Sequence, residues 1–133
     1  MKKIFIAFVA LAFFTSCHDS TGIKDFVAGS DSVAINFYKG DGSMDSVVKV
    51  VILRDSAQVA TLADFIESKE VEQAKCGYDG SLHFFKKDMV LKDVDFRMNE
   101  KDCMQFSFML NNKIYATRLS GKAKDYLSAL AGR

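Results

Sequence analysis

The residues whose spacing suggests acid–base or metal chemistry lie between His83 and Asp102. His83 stands between Leu82 and Phe84. An imidazole that titrates near neutrality suits a general base. Asp93 and Asp95 are two residues apart, so on a strand their carboxylates share a face. With Asp88 and Asp102 they make an acid-rich region. A cleft beside His83, Asp93 and Asp95 is where a small hydrolase-like enzyme or an enzyme inhibitor would act. Each such chemistry asks for more. Glycoside hydrolysis needs two carboxylates across a cleft, and a hard cation needs several oxygen ligands at fixed spacing. Lys86, Lys87, Lys92, Arg97 and Lys101 are interleaved among the acids, the pattern of a solvated sheet face. No serine or cysteine motif points to His83. Tyr78-Asp79-Gly80 lacks the spaced acids of a calcium loop, and Gly40-Asp41-Gly42 lacks the Lys-Ser/Thr pair of a phosphate loop; both read as turns. The sequence therefore assigns no catalytic residue, no metal and no cofactor.

Sulfur and aromatic side chains are denser. Met89, Met98, Met104 and Met109 accompany Phe84, Phe85, Phe96, Phe106 and Phe108. Met104, Phe106 and Phe108 at period two are core. Phe85, Met109 and Tyr115 are expected on the sheet face opposite the helices, where a shared exposed surface would recognise a protein, peptide or envelope ligand.

The N-terminus carries the most specific pattern. Lys2 and Lys3 precede an unbroken apolar run from Ile4 to Phe14, and small polar residues then lead to Cys17. Positive start, apolar centre and abrupt polar end are the order of a secretory signal. The run of eleven residues falls short of the roughly 20 that span a bilayer as a helix. Phe14-Thr15-Ser16-Cys17 resembles the lipobox of bacterial lipoproteins, with Phe14 departing from the usual Leu, Val or Ile toward the relaxed form of Bacteroidetes-type outer-membrane lipoproteins. That resemblance implies a diacylglyceryl group on Cys17 and cleavage before it. It covers the export segment only; no named domain family attaches to the rest. Two or three acyl chains give stable anchoring. A single acid, Asp19, follows the cysteine, which favours the periplasmic side of the outer membrane over the cell surface. Assigning Cys17 to lipid leaves Cys76 and Cys103 as an even pair in an oxidising compartment, where a disulfide is expected. Two buried thiols or a metal or redox pair are the alternatives, although Cys-x-x-Cys spacing is absent.

Removing residues 1–16 leaves one domain's worth of chain. Of 18 basic residues, losing Lys2 and Lys3 leaves 16 against 17 acidic ones. A nearly neutral, interspersed surface has no electrostatic footprint for nucleic acid. Residues 17–30 read as the lipidated cysteine and a tether, although Ile23, Phe26 and Val27 are apolar enough for part of it to pack or form a turn of helix. The domain is placed at residues 31–133.

Alternation predicts strands at 32–39, 46–53, 81–86, 91–98, 103–110 and 113–119. Between them, Val59, Leu62, Ala63 and Ile66 make a helical stripe after Asp55 or Ser56. A second helix follows Ser120 and ends at Gly132. The order β-β-α-β-β-β-β-α predicts a two-layer α+β domain, a mostly antiparallel sheet with its helices on one face. On these grounds the expected role is a lipid-anchored, non-enzymatic binding module, with the His83 enzyme or inhibitor and a purely structural envelope role as alternatives.

Overall fold

The computed structural model describes residues 21–132. The expected signal segment, Cys17 and His18 lie outside the described residues. A short helix α1 (Ile23–Val27) comes first, then strands β1 (Ser32–Phe37) and β2 (Lys49–Leu53), helix α2 (Ser56–Ile66) and a two-residue strand β3 (Glu70–Val71). Four strands follow as a meander, β4 (Gly80–Lys86), β5 (Met89–Arg97), β6 (Gln105–Leu110) and β7 (Lys113–Arg118), and helix α3 (Gly121–Ala131) closes the chain. The seven strands form one antiparallel sheet in the order β2-β1-β4-β5-β6-β7-β3. The fold is the two-layer α+β arrangement the periodicities predict, with helices on one face.

Local chemistry sets the boundaries. The Asp55 carboxylate accepts a hydrogen bond from Ala57 N at 2.8 Å and caps α2, whose Val59, Leu62, Ala63 and Ile66 are buried. Ser120 Oγ does the same for α3 from Ala123 N, and Gly132, in the left-handed region, ends it. The β4–β5 and β6–β7 turns are two residues each, Lys87-Asp88 and Asn111-Asn112, and all four have positive φ. That is the mirror-image turn whose twist suits a hairpin, so β5 starts at Met89, two residues before the predicted strand. Cys103 belongs to a 3₁₀ turn (Lys101–Cys103), not to β6.

The apolar stripes meet between the layers. Val33, Ile35 and Phe37 of β1 share the helical face of the sheet with Leu82 and Phe84 of β4, Val94 and Phe96 of β5, and Phe106 and Phe108 of β6, all buried. Phe37 and Phe96 pack edge to face, with ring centroids 5.9 Å apart. Gly80 makes this possible: a Cβ there would overlap both the Phe96 ring and the Asn36 carbonyl. Ile23 and Val27 of α1 are also in the core. The Glu67 carboxylate accepts from Lys24 N at 2.8 Å and docks the start of α1 on the end of α2.

Two crossovers wrap the sheet. From the β2 edge, α2 carries the chain over the helical face to β3, which pairs with β7 at the opposite edge. Residues 72–79 then return over the other face to reach β4. Gln73 Nε2 donates to Ser107 Oγ at 3.1 Å, and the Gln105 side chain pairs with both backbone groups of Ala74. Gln105 and Ser107 alternate with the core residues Phe106 and Phe108, so this strap lies opposite the helices. No helix among the described residues is long and apolar enough to cross a membrane.

Candidate functional site

The face opposite the helices divides into a covered and an open part. Over β5 and β6 the strap buries Ser107 and Gln105. A disulfide joins Cys76 of the strap to Cys103, with Cα atoms 6.2 Å apart and a sequence separation of 27. Glu100 lies within 4.8 Å of both sulfurs, but bridged sulfurs are not the thiolates that bind a soft metal.

Beside the bridge is an ion pair absent from the sequence reading. Asp79 is fully buried and Arg97 nearly so. Asp79 Oδ1 accepts from Arg97 Nη1 at 2.6 Å, and its Oδ2 accepts from the N–H groups of Met98 and Asn99 at 2.7 and 2.9 Å. Arg97 also reaches Glu100 at 3.3 Å, and a side chain on Gly42 would meet its guanidinium. The pair thus joins the strap, the loop between β1 and β2, and the end of β5. In the sequence Asp79 reads as a turn residue and Arg97 as one charge of a solvated face. Their parities do not distinguish a face open to water from one covered by a distant segment.

On the open part, β1, β4 and β5 present a polar ladder. Register places His83 opposite Asp93 and Ser81 opposite Asp95, with Asn36 beside Ser81 on β1. His83 Nδ1 lies 2.5 Å from Asp93 Oδ1, and Nε2 lies 2.9 Å from Ser81 Oγ and 3.2 Å from Asn36 Nδ2. The sequence-predicted His83, Asp93 and Asp95 therefore do come together, and Ser81 joins them unforeseen. Burial pushes the Asp95 carboxyl above its ordinary range; His83 opposes this and the Asp93 charge adds to it.

The contact order Ser81–His83–Asp93 is that of a nucleophilic relay. Its surroundings are not. Ser81 is 4% exposed, and β4 is paired on both sides, so the N–H groups around it are committed to the ladder. An acyl-transfer site needs an accessible oxygen and free N–H donors for the oxyanion. The ladder's evident chemistry is mutual satisfaction of polar groups on a sheet face.

The proposed recognition trio is split by register. Phe85 and Met109 face away from the helices, as expected. Tyr115 does not: the two-residue Asn111-Asn112 turn pairs Leu110 with Lys113 and Phe108 with Tyr115. Tyr115 therefore shares the helical face with Phe108 and stacks on it, ring centroids 6.2 Å apart. The expectation for Tyr115 is corrected by pairing: across a two-residue turn between Leu110 and Lys113, Tyr115 must stand beside Phe108, and residues paired across a ladder share a face.

Of the trio Met109 alone is among the large exposed apolar side chains; the others lie elsewhere. Strand β2 is an edge of the sheet and pairs with β1 alone. Its Val50 and Ile52, with Val47 and Val48 just before it, are each about half exposed. The signal for this was present in the sequence: the run 46–53 is apolar at both parities, where a strand with one wet face would alternate. A second group comprises Phe26, Met89, Val90, Met109 and Ile114. There Lys92 Nζ donates to the Met109 carbonyl at 2.6 Å and sits 4.4 Å above the Phe26 ring. Val90, Leu91, Lys92, Asp93 and Met109 line a shallow, open hollow.

Comparison of the chain with protein-family models, with curated proteins and with solved structures finds no match.

Proposed function

We propose that the chain is a lipoprotein of a bacterial outer membrane, anchored through Cys17 on the periplasmic side, whose domain is a non-enzymatic module that binds an extended polypeptide segment. The observation that carries the binding part is β2, a sheet edge with a row of half-exposed valine and isoleucine side chains. Natural edges are usually blunted by charges, proline or a bulge. An edge left apolar offers backbone groups for one more strand and side-chain surface for alternate residues of that strand.

The test uses the full chain and a library of extended peptides. Selected peptides should lose affinity about tenfold or more against Val50→Lys, a charge placed on the edge. They should lose it equally when alternate backbone nitrogens of the peptide are methylated. Peptides that bind both proteins alike would overturn the edge as the binding site. The anchor has its own test: Cys17→Ala should abolish labelling by palmitate, and labelling that persists removes the lipid from Cys17.

A catalytic reading draws on the Ser81–His83–Asp93 contacts. Its check is a fluorophosphonate probe, which should leave Ser81 unmodified. A covalent adduct on Ser81 would replace the binding reading with a hydrolytic one.

A further inference from the structure

We infer that the β4–β5 and β6–β7 hairpins part at their turn end to make a binding site for the C-terminal residue of a peptide, one with an apolar side chain and a free carboxylate. The site is separate from the β2 edge and does not rest on it. Register locates the parting. β4 pairs with β5 as far as Lys86 and Met89, and β6 pairs with β7 as far as Leu110 and Lys113. Between the two hairpins the ladder runs only from Arg97 with Gln105 to Val94 with Phe108. Beyond it, residues 89–93 of β5 are paired on the β4 side alone. A bulge shapes this stretch: Phe84 pairs with Lys92 and Phe85 with Val90, so Leu91 is the extra residue. The hollow lined by Val90, Leu91, Lys92, Asp93 and Met109 lies at this parting and has a volume of about 330 Å³. That is the lower end of the roughly 300–1,000 Å³ of ligand sites.

Three features name the occupant. Lys92 shares the helical face with Phe84; its ammonium sits 4.4 Å from the Phe26 ring centroid and donates to the Met109 carbonyl at 2.6 Å. It therefore stands in the gap, on a partly buried residue, and none of the ion pairs among the described residues includes it. A partly desolvated cation beside only a carbonyl and a ring lacks a counter-charge, and a ligand carboxylate supplies one through a charge-assisted hydrogen bond. Val90 and Met109 face away from the helices, each about half exposed, and offer an apolar wall for a side chain. Asp93 is the third feature. Its carboxylate lies against His83 Nδ1 yet its side chain is 66% exposed, so it can accept an N–H from a ligand. The last residue of a peptide carries all three groups: a carboxylate for Lys92, a side chain for Val90 and Met109, and an amide N–H for Asp93. A fatty acid lacks the N–H, and a dianion such as phosphate would be repelled by Asp93.

The test follows the methionine methyl groups of the full chain by carbon-13 NMR. The probe is N-acetyl-Ala-Ala-Leu with a free carboxylate, set against the same peptide as its C-terminal amide. The acid should bind saturably and shift the Met109 methyl, while Met44, in the loop between β1 and β2, stays in place. The amide should bind at least about tenfold more weakly, the cost of losing a charged hydrogen bond. Lys92→Met, its folding verified by far-UV circular dichroism, should lose affinity for the acid by a similar factor, and Val50→Lys should bind it as wild type does. The comparison of acid with amide uses the unchanged protein, so it decides even where Lys92→Met does not fold. An acid that leaves the Met109 methyl unmoved, or an amide that binds as well as the acid, overturns the site. Folded Lys92→Met with undiminished affinity does the same. Octanoate bound as tightly as the peptide overturns the peptide as occupant. Affinity lost in Val50→Lys would move the peptide to the β2 edge, overturning this site and leaving the edge reading standing.

Discussion

Asp79 and Arg97 show what one pair of residues does for this domain. A buried carboxylate costs several kcal/mol to desolvate unless a charge and hydrogen bonds meet it. Asp79 has Arg97 and two N–H groups. Asp79→Asn leaves the buried guanidinium with only the half-exposed Glu100 as counter-charge, and should lower unfolding free energy by about 3 kcal/mol. Adding Arg97→Met should recover much of that loss, because a buried pair replaced by apolar groups is often neutral. Urea unfolding of the three proteins checks both; a loss under about 1 kcal/mol in the single variant would contradict the pair's role. Asp95 makes the opposite case. Its folded-state affinity for protons is raised by burial, so the native state binds more protons than the unfolded one above the ordinary aspartate range. Stability contributed by this group therefore falls as pH rises from the unfolded value through the raised one. Asp95→Asn should leave stability unchanged near pH 4 and increase it near about pH 7, read as the difference in Tm from wild type across that interval. An equal difference at both pH values would show that Asp95 does not titrate with folding.

At the scale of elements, the hairpin turns and the β2 edge carry the arrangement. Two-residue turns fix register, and register sent Tyr115 to the helical face while keeping Phe85 and Met109 on the other. The Gly80 contact with Phe96 is equally exacting: Gly80→Ala should cost about 2–3 kcal/mol, in the range of overpacked cores, with thermal unfolding as the measure. Much of this level was legible in the sequence. Val94, Phe96 and Met98 against Asp93, Asp95 and Arg97 announced a strand, and Val59, Leu62, Ala63 and Ile66 a helix, because local burial imposes local period. What was not legible depends on distant chain. Glu70 and Val71 form a strand only because β7 is there to pair with them. Ser81 lies two residues from His83 in the sequence, but its place in the ladder with Asn36 and Asp95 comes from three strands meeting. Asp79 looked like any turn aspartate until the strap was laid over Arg97.

For the molecule as a whole, the two crossovers and the bridge matter most. One crossover covers the helical face, and the other, residues 72–79, covers the opposite face over β6 and leaves it open over β1 and β4. Reducing Cys76–Cys103, whose sequence separation is 27, should lower stability by about 3.5 kcal/mol in the chain-entropy estimate. Equilibrium unfolding with and without reductant measures it, and equal midpoints would mean that the strap is held by its hydrogen bonds alone. The loop that the bridge closes has a further property: it contains all of β4 and β5 together with the exposed Lys87-Asp88 turn. A trypsin cut after Lys87 would sever the backbone between the two cysteines without releasing either half. The nicked protein should keep a single mass, increased by one water, until reductant separates it into two peptides. Proteolysis at this exposed hairpin would then leave the domain in one piece, with the C-terminal fragment still joined to the N-terminal one.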